Sequence, residues 1–217
     1  MNGPRRHWRL LGTLLVGGAW AGGCAAPYPE GGGPAGAPTA GDAGEATPAA
    51  RATQGSLRQE EITIELRSGV VQVRLTPLDS GIVRLTAPDT RRRLESLTSL
   101  AAGDGVAFLV SVFTEEPGGA PFEPGSVSLE NRGRVFRPVR VRALTTGWGT
   151  RLAQQRAEQA VYLFSPEVDL EMPLVVEVAG ARSGAWSSIL PRIDAERARV
   201  RARSGGQPSR PNFRIFR

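Results

Sequence analysis

The chain has 217 residues, with 27 basic side chains against 21 acidic ones, one His and one Cys. Every basic side chain is Arg, which excludes Schiff-base chemistry and Lys as a base or phosphate ligand. His7 and Cys24 both stand near the N-terminus; if that end is a targeting segment, the folded part lacks imidazole and thiol, and zinc sites, His- or Cys-assisted nucleophiles and internal disulfides drop out.

The length suits one domain with tails. Residues 1–23 read as a signal peptide. Arg5, Arg6 and Arg9 form a basic n-region, Leu10 to Trp20 a short apolar core, and Ala21-Gly22-Gly23 the small residues before a cut. The apolar run is far shorter than the roughly 20 residues a membrane-crossing helix needs. The small residues end on Cys24, and this segment resembles bacterial lipoprotein signal peptides. In that class a lipobox, usually Leu-Ala/Ser-Gly/Ala-Cys, precedes acylation of the Cys and cleavage just before it. Gly22 and Gly23 fit the pattern, while Ala21 stands where Leu is commoner. The resemblance implies a lipid on Cys24, stable anchoring through several acyl chains, and, with Ala25 following rather than Asp, residence in the outer membrane. A plain secretory signal with an incidental Cys is the alternative. Arg5-Arg6 also leaves the twin-arginine export route open.

Residues 24–55 are the acylated Cys and a spacer dominated by Ala, Gly and Pro, too poor in apolar side chains to form a core. From 56 to 191 the pattern predicts a mainly β domain. Ile62 to Leu66, Val71 to Leu75 and Ile82 to Leu85 alternate apolar and polar, as half-buried strands do. Asp89 to Leu100 takes a helical period, with Leu94 and Leu97 on one face and Asp89 as the expected cap. Strands resume at Val106 to Phe113, continuous enough to be central, at Ser126 to Glu130, and along Arg134 to Leu144, where Pro138 marks an edge or bulge. Residues 151–159 read as a short helical or loop excursion. Val161 to Phe164 and Leu174 to Val178 complete about eight strands, the pattern of a single antiparallel β-sandwich with one or two short helices. The strand order over residues 60–180 resembles the immunoglobulin-like, telokin-like domains of bacterial lipoproteins, although no Cys-Trp-Cys core is present.

Residues 192–217 form an Arg-rich tail, expected to be partly helical between Ile193 and Arg203. Its Arg197, Arg199, Arg201 and Arg203 are candidate contacts to an anionic lipid or glycan surface. Taken alone, that stretch also suits a solvated helix, with the flanks adding little to a core ending near Pro191. Residues 25–191 carry 16 Arg and 19 acids, a net of −3, so the domain is not expected to bind nucleic acid.

Trp148, between Gly147 and Gly149, is a candidate for stacking on a sugar or partner, or for packing across one end of the sandwich. Glu167, Asp169 and Glu171 would share a face if extended and offer Ca²⁺ ligands, against the simpler reading of a solvated strand face. Glu115 and Glu116 read as turn residues rather than an acid/base pair. With no mature His or Lys, no usual base serves a Ser nucleophile. The expectation is a non-catalytic, membrane-anchored envelope module that needs no cofactor or metal and binds an envelope protein or an anionic surface. The alternative is a hydrolase or glycan-active enzyme using carboxylates alone.

Overall fold

The computed structural model describes residues 54–101 and 103–205. The expected signal segment, Cys24, nearly all of the expected spacer and the end of the tail from residue 206 lie outside the described residues.

The domain is mainly β. In chain order it runs β1 (Ile64–Ser68), β2 (Val71–Pro77), α1 (Ser80–Val83), α2 (Pro88–Thr98), β3 (Val106–Thr114), β4 (Ala120–Pro121), β5 (Val127–Asn131), β6 (Arg134–Phe136), β7 (Arg140–Ala143), β8 (Arg151–Leu152), β9 (Glu158–Phe164), β10 (Leu174–Val178), β11 (Ala181–Ser183) and α3 (Trp186–Gly205). Two antiparallel sheets, β1-β2-β3-β9-β7 and β11-β10-β5-β6, share one apolar core, and β4 pairs with β8 beside them. Alternation sets the faces: Ile64 and Leu66 of β1 are buried while Glu65 and Arg67 are exposed, and β5 and β10 alternate likewise. β3 is central, between β2 and β9, and its Phe108 meets Phe164 edge to face at 5.8 Å.

Several local expectations are corrected. Ile82 to Leu85 is not a strand: Asp79 accepts a hydrogen bond from the Ile82 amide at 3.0 Å and caps α1, turning Ile82 and Val83 into the core. Asp89 is not the cap of α2; Ala87 holds that place, Pro88 opens the first turn, and Asp89 lies within that turn. Ile62 ends a 3₁₀ turn (Gln59–Ile62), and the strand starts two residues later. The run from Arg134 to Leu144 is two strands in different sheets, separated at Pro138, which cannot donate to a ladder. Of the helical or loop excursion expected over residues 151–159, the loop alternative holds between β8 and β9, which begins at Glu158.

The largest correction concerns the C-terminal helix. α3 begins at Trp186, so the expected boundary between 191 and 192 falls inside it. Trp186, Ile189 and Ile193 are buried in the common core, and the Trp186 indole donates to the Leu170 carbonyl at 3.1 Å. Glu196, fully buried, accepts from both the amide and the hydroxyl of Ser56, each at 3.0 Å. Leu57 then donates to the Leu85 carbonyl at 3.1 Å. The segment entering the domain is thereby fixed against the helix that leaves it. No helix among the described residues is long and apolar enough to cross a membrane.

Candidate functional site

A sandwich of two open sheets has four edge strands, each presenting a row of backbone donors and acceptors. Here β1 and β11 lie together, with the Ser183 hydroxyl donating to the Glu65 carbonyl at 3.2 Å. The other two edges, β6 and β7, are consecutive in sequence and end their respective sheets. All four residues of β7 are exposed. Its inner side pairs with β9 from Arg140 opposite Leu163 to Ala143 opposite Ala160. No strand pairs with its outer side among the described residues.

The side chains on this edge are of two kinds. Val135, Val139 and Val141 are 67%, 66% and 37% exposed, three of the five exposed large hydrophobic side chains among the described residues. Interleaved with them stand Arg134, Arg137, Arg140 and Arg142. Arg134 bridges to Glu167 at 2.8 Å with its guanidinium 5.2 Å from the centre of the Phe136 ring. Arg142 donates to the Leu100 carbonyl at 3.2 Å, and among the described residues neither it nor Arg137 is matched by a carboxylate. Between Glu130 and Glu158 the sequence has seven Arg and no acid. The domain's small negative balance therefore conceals a basic stretch folded onto one edge.

Trp148 lies beyond the end of β7, half-buried. Its ring meets Phe122 at 5.5 Å and Tyr162 at 5.9 Å, both edge to face, so it packs across one end of the sandwich. Its Nε1 is buried without a hydrogen-bond partner. The Tyr162 hydroxyl donates to the Pro124 carbonyl at 2.9 Å; burial, and secondarily the charge of Glu123, push this phenol well above its ordinary range. Next to Trp148, a Cβ on Gly147 would stand 2.1 Å from Oε1 of Glu158, so only glycine lets the loop close over that carboxylate. Glu158 is fully buried. Arg156 Nε lies 3.1 Å from Oε1, but no N–H is aimed at either oxygen.

The four tail arginines are largely committed within the fold. Arg199 and Arg203 both reach Glu196, at 3.4 and 3.0 Å. Arg197 pairs with Asp194 at 2.9 Å and Glu171 at 3.6 Å. Arg201 is exposed. Glu196 thus joins two of the four, while Trp148 belongs to the neighbourhood of Phe122 and Tyr162.

Of the carboxylates weighed for chemistry, the three from Glu167 to Glu171 are also matched. Glu167, Asp169 and Glu171 lie in the loop between β9 and β10, not on a strand, and pair with Arg134, Arg132 and Arg197 respectively. Asn131 holds the loop, accepting from the Asp169 amide at 2.9 Å and donating to the Pro173 carbonyl at 3.0 Å. Asp79, Glu167, Asp169 and Glu171 line a hollow of about 460 Å³ that also contains Arg132 and Arg197. Glu115 and Glu116 are exposed in the turn after β3, where the Glu116 carbonyl accepts from Gly119.

Pro138 marked an edge or bulge in this run, but sequence reasoning missed the basic, valine-bearing surface of the β6–β7 edge. Its signal was the long acid-free interval, diluted when charge was summed over the whole domain. No protein-family model, curated protein or solved structure matches the chain.

Proposed function

We propose that the chain is an exported, lipid-anchored module of the cell envelope that binds a partner through the β6–β7 edge and carries out no catalysis of its own. The observation that supports this most is the exposure of Val139 and Val141 among exposed arginines, at a strand whose outer side pairs with no other strand among the described residues. Exposed charge alone would protect an edge against aggregation. Three exposed valines add apolar area that a binding partner would cover. A lipid on Cys24 holds the protein to the membrane, and the Ala/Gly/Pro-rich segment lets the domain reach its partner. Arg201 and the later Arg210, Arg214 and Arg217 add attraction to anionic lipid or glycan, on the order of 1 kcal/mol for each Arg near an anionic membrane.

The alternative of a carboxylate-only hydrolase has less support, because Glu167, Asp169 and Glu171 in the large hollow pair with Arg134, Arg132 and Arg197, and Asp79 is engaged as the cap of α1. Site-specific photocrosslinking in intact cells tests the binding reading. A photoreactive residue at Val139 or Val141 should give one discrete adduct, lost on converting Arg140 and Arg142 to Glu. The same residue at Arg84, on another exposed surface, should give none. Equal, diffuse labelling from all three positions contradicts a binding edge.

A further inference from the structure

We infer that β7 takes up an extended acidic peptide segment as an added strand, with the partner's backbone pairing along the outer side of Arg140–Ala143 and its carboxylates meeting Arg137, Arg140 and Arg142. This rests on the binding-module reading and specifies the partner's chemistry.

Three observations combine. First, β7 ends its sheet among the described residues, and its side chains are exposed on both faces: Arg140 and Arg142 point to one side and Val141 and Ala143 to the other. An incoming strand would find backbone hydrogen bonds in register with charged and apolar contacts at alternate residues, which is how strand addition obtains both affinity and specificity. Second, the opposite margin of the sandwich is occupied, since β11 lies against β1 through Ser183 and Glu65, whereas among the described residues no strand pairs along the β6–β7 margin. Third, charge selects the occupant. A second copy of the same edge would set Arg140 and Arg142 against arginines, and like charges directly opposite on paired strands repel. The chain's own residues 206–217 carry Arg210, Arg214 and Arg217 and no acid, so they suit the edge no better. An acidic extended segment meets no such penalty. Alternation of carboxylate and small apolar residues would place its acids opposite the guanidinium row and its apolar side chains beside Val141. Pro138 precedes the strand, where its missing N–H removes no bond from β7 itself.

The test uses the full chain with Cys24→Ser to keep it in solution, and three probes: a short peptide alternating Glu with Val and Thr, the same peptide with a central Pro, and phosphatidylglycerol vesicles. Fluorescence anisotropy should give tighter binding of the intact peptide than of its Pro copy by about tenfold or more, because the Pro removes a backbone donor and breaks the ladder. Arg140→Glu with Arg142→Glu should weaken the intact peptide by about tenfold, consistent with two exposed charge pairs changed from attraction to repulsion. Hydrogen exchange at residues 139–143 should slow when the peptide is bound. Equal affinity for the two peptides, or tight binding to vesicles with no slowing at 139–143, overturns strand addition, since such an edge would read charge only. The Pro sits in the probe, so the comparison holds whatever the Arg variants do to folding. Strand addition can fail here while crosslinking at Val139 and Val141 still yields a discrete adduct, which separates this inference from the binding-module reading.

Discussion

Ending the chain at Pro191 removes the last 14 residues of α3 and should come close to unfolding the domain. The cut takes away Ile193, which is fully buried, and removal of a buried Ile side chain to Ala typically costs about 2–5 kcal/mol. It also takes away Glu196, and with it the two hydrogen bonds that fix Ser56; bonds to a charged acceptor contribute about 1.5–3 kcal/mol each when well made. The six helical residues left, Trp186 to Pro191, are too few to persist without the packing of the next turns. A loss of about 5 kcal/mol is a large part of the 5–15 kcal/mol typical of whole domains, and corresponds to a drop in Tm of about 10–20 °C at this size. Thermal melts followed by circular dichroism, comparing the full chain with one ending at Pro191, measure it. Ile193→Ala in the full chain should cost about 3 kcal/mol and reproduce part of the drop. Melting within about 2 °C of the full chain would refute the assignment of α3 to the core.

The two buried glutamates should respond in opposite senses. Glu196→Ala leaves Ser56 without its acceptor and should lower stability by about 2–3 kcal/mol in urea unfolding, whereas Glu158→Gln removes a buried charge with no aimed donor and should be neutral or slightly stabilising. Tyr162 ionises less readily folded than unfolded, so its contribution is intact below about pH 10 and is lost as the pH rises toward the elevated folded value. Absorbance titration should show this tyrosinate forming only as circular dichroism reports unfolding, and Tyr162→Phe should flatten that alkaline loss. Removing residues 206–217 should leave Tm unchanged and weaken binding to anionic vesicles at low salt, an effect that shrinks as salt screens the charges; equal vesicle binding would assign Arg210, Arg214 and Arg217 to solubility alone.

Much of the sheet structure was legible because one face is wet: Glu65, Arg67 and Arg74 interrupt apolar residues at every second place. The central strand showed as the unbroken Val106–Val110. What escaped had too few residues to carry a period. β4 and β8 are two residues each, and β11 holds only Ala181, Arg182 and Ser183. Ile82 to Leu85 fits two periods equally over so short a span, and Asp79 decides for the helix. Pro191 disguised the start of α3 because an exposed Pro in its second turn sacrifices one helical bond while Trp186, Ile189 and Ile193 keep the face buried. Pro138 hinted at an edge, but the exposure of both faces of β7 escaped for a different reason. Val139, Val141 and Ala143 alternate like a core-facing set, and only the folded structure shows them exposed.

The central claim, a module tethered through Cys24, is tested most directly by intact mass spectrometry of the protein purified from the membranes of its native host. The account predicts a chain that begins at Cys24, lacks residues 1–23, and carries the mass of a diacylglyceryl group with or without a further acyl chain, and that moves to the aqueous phase on Cys24→Ser. A chain cleaved elsewhere with Cys24 unmodified, or one retaining Met1, would contradict it.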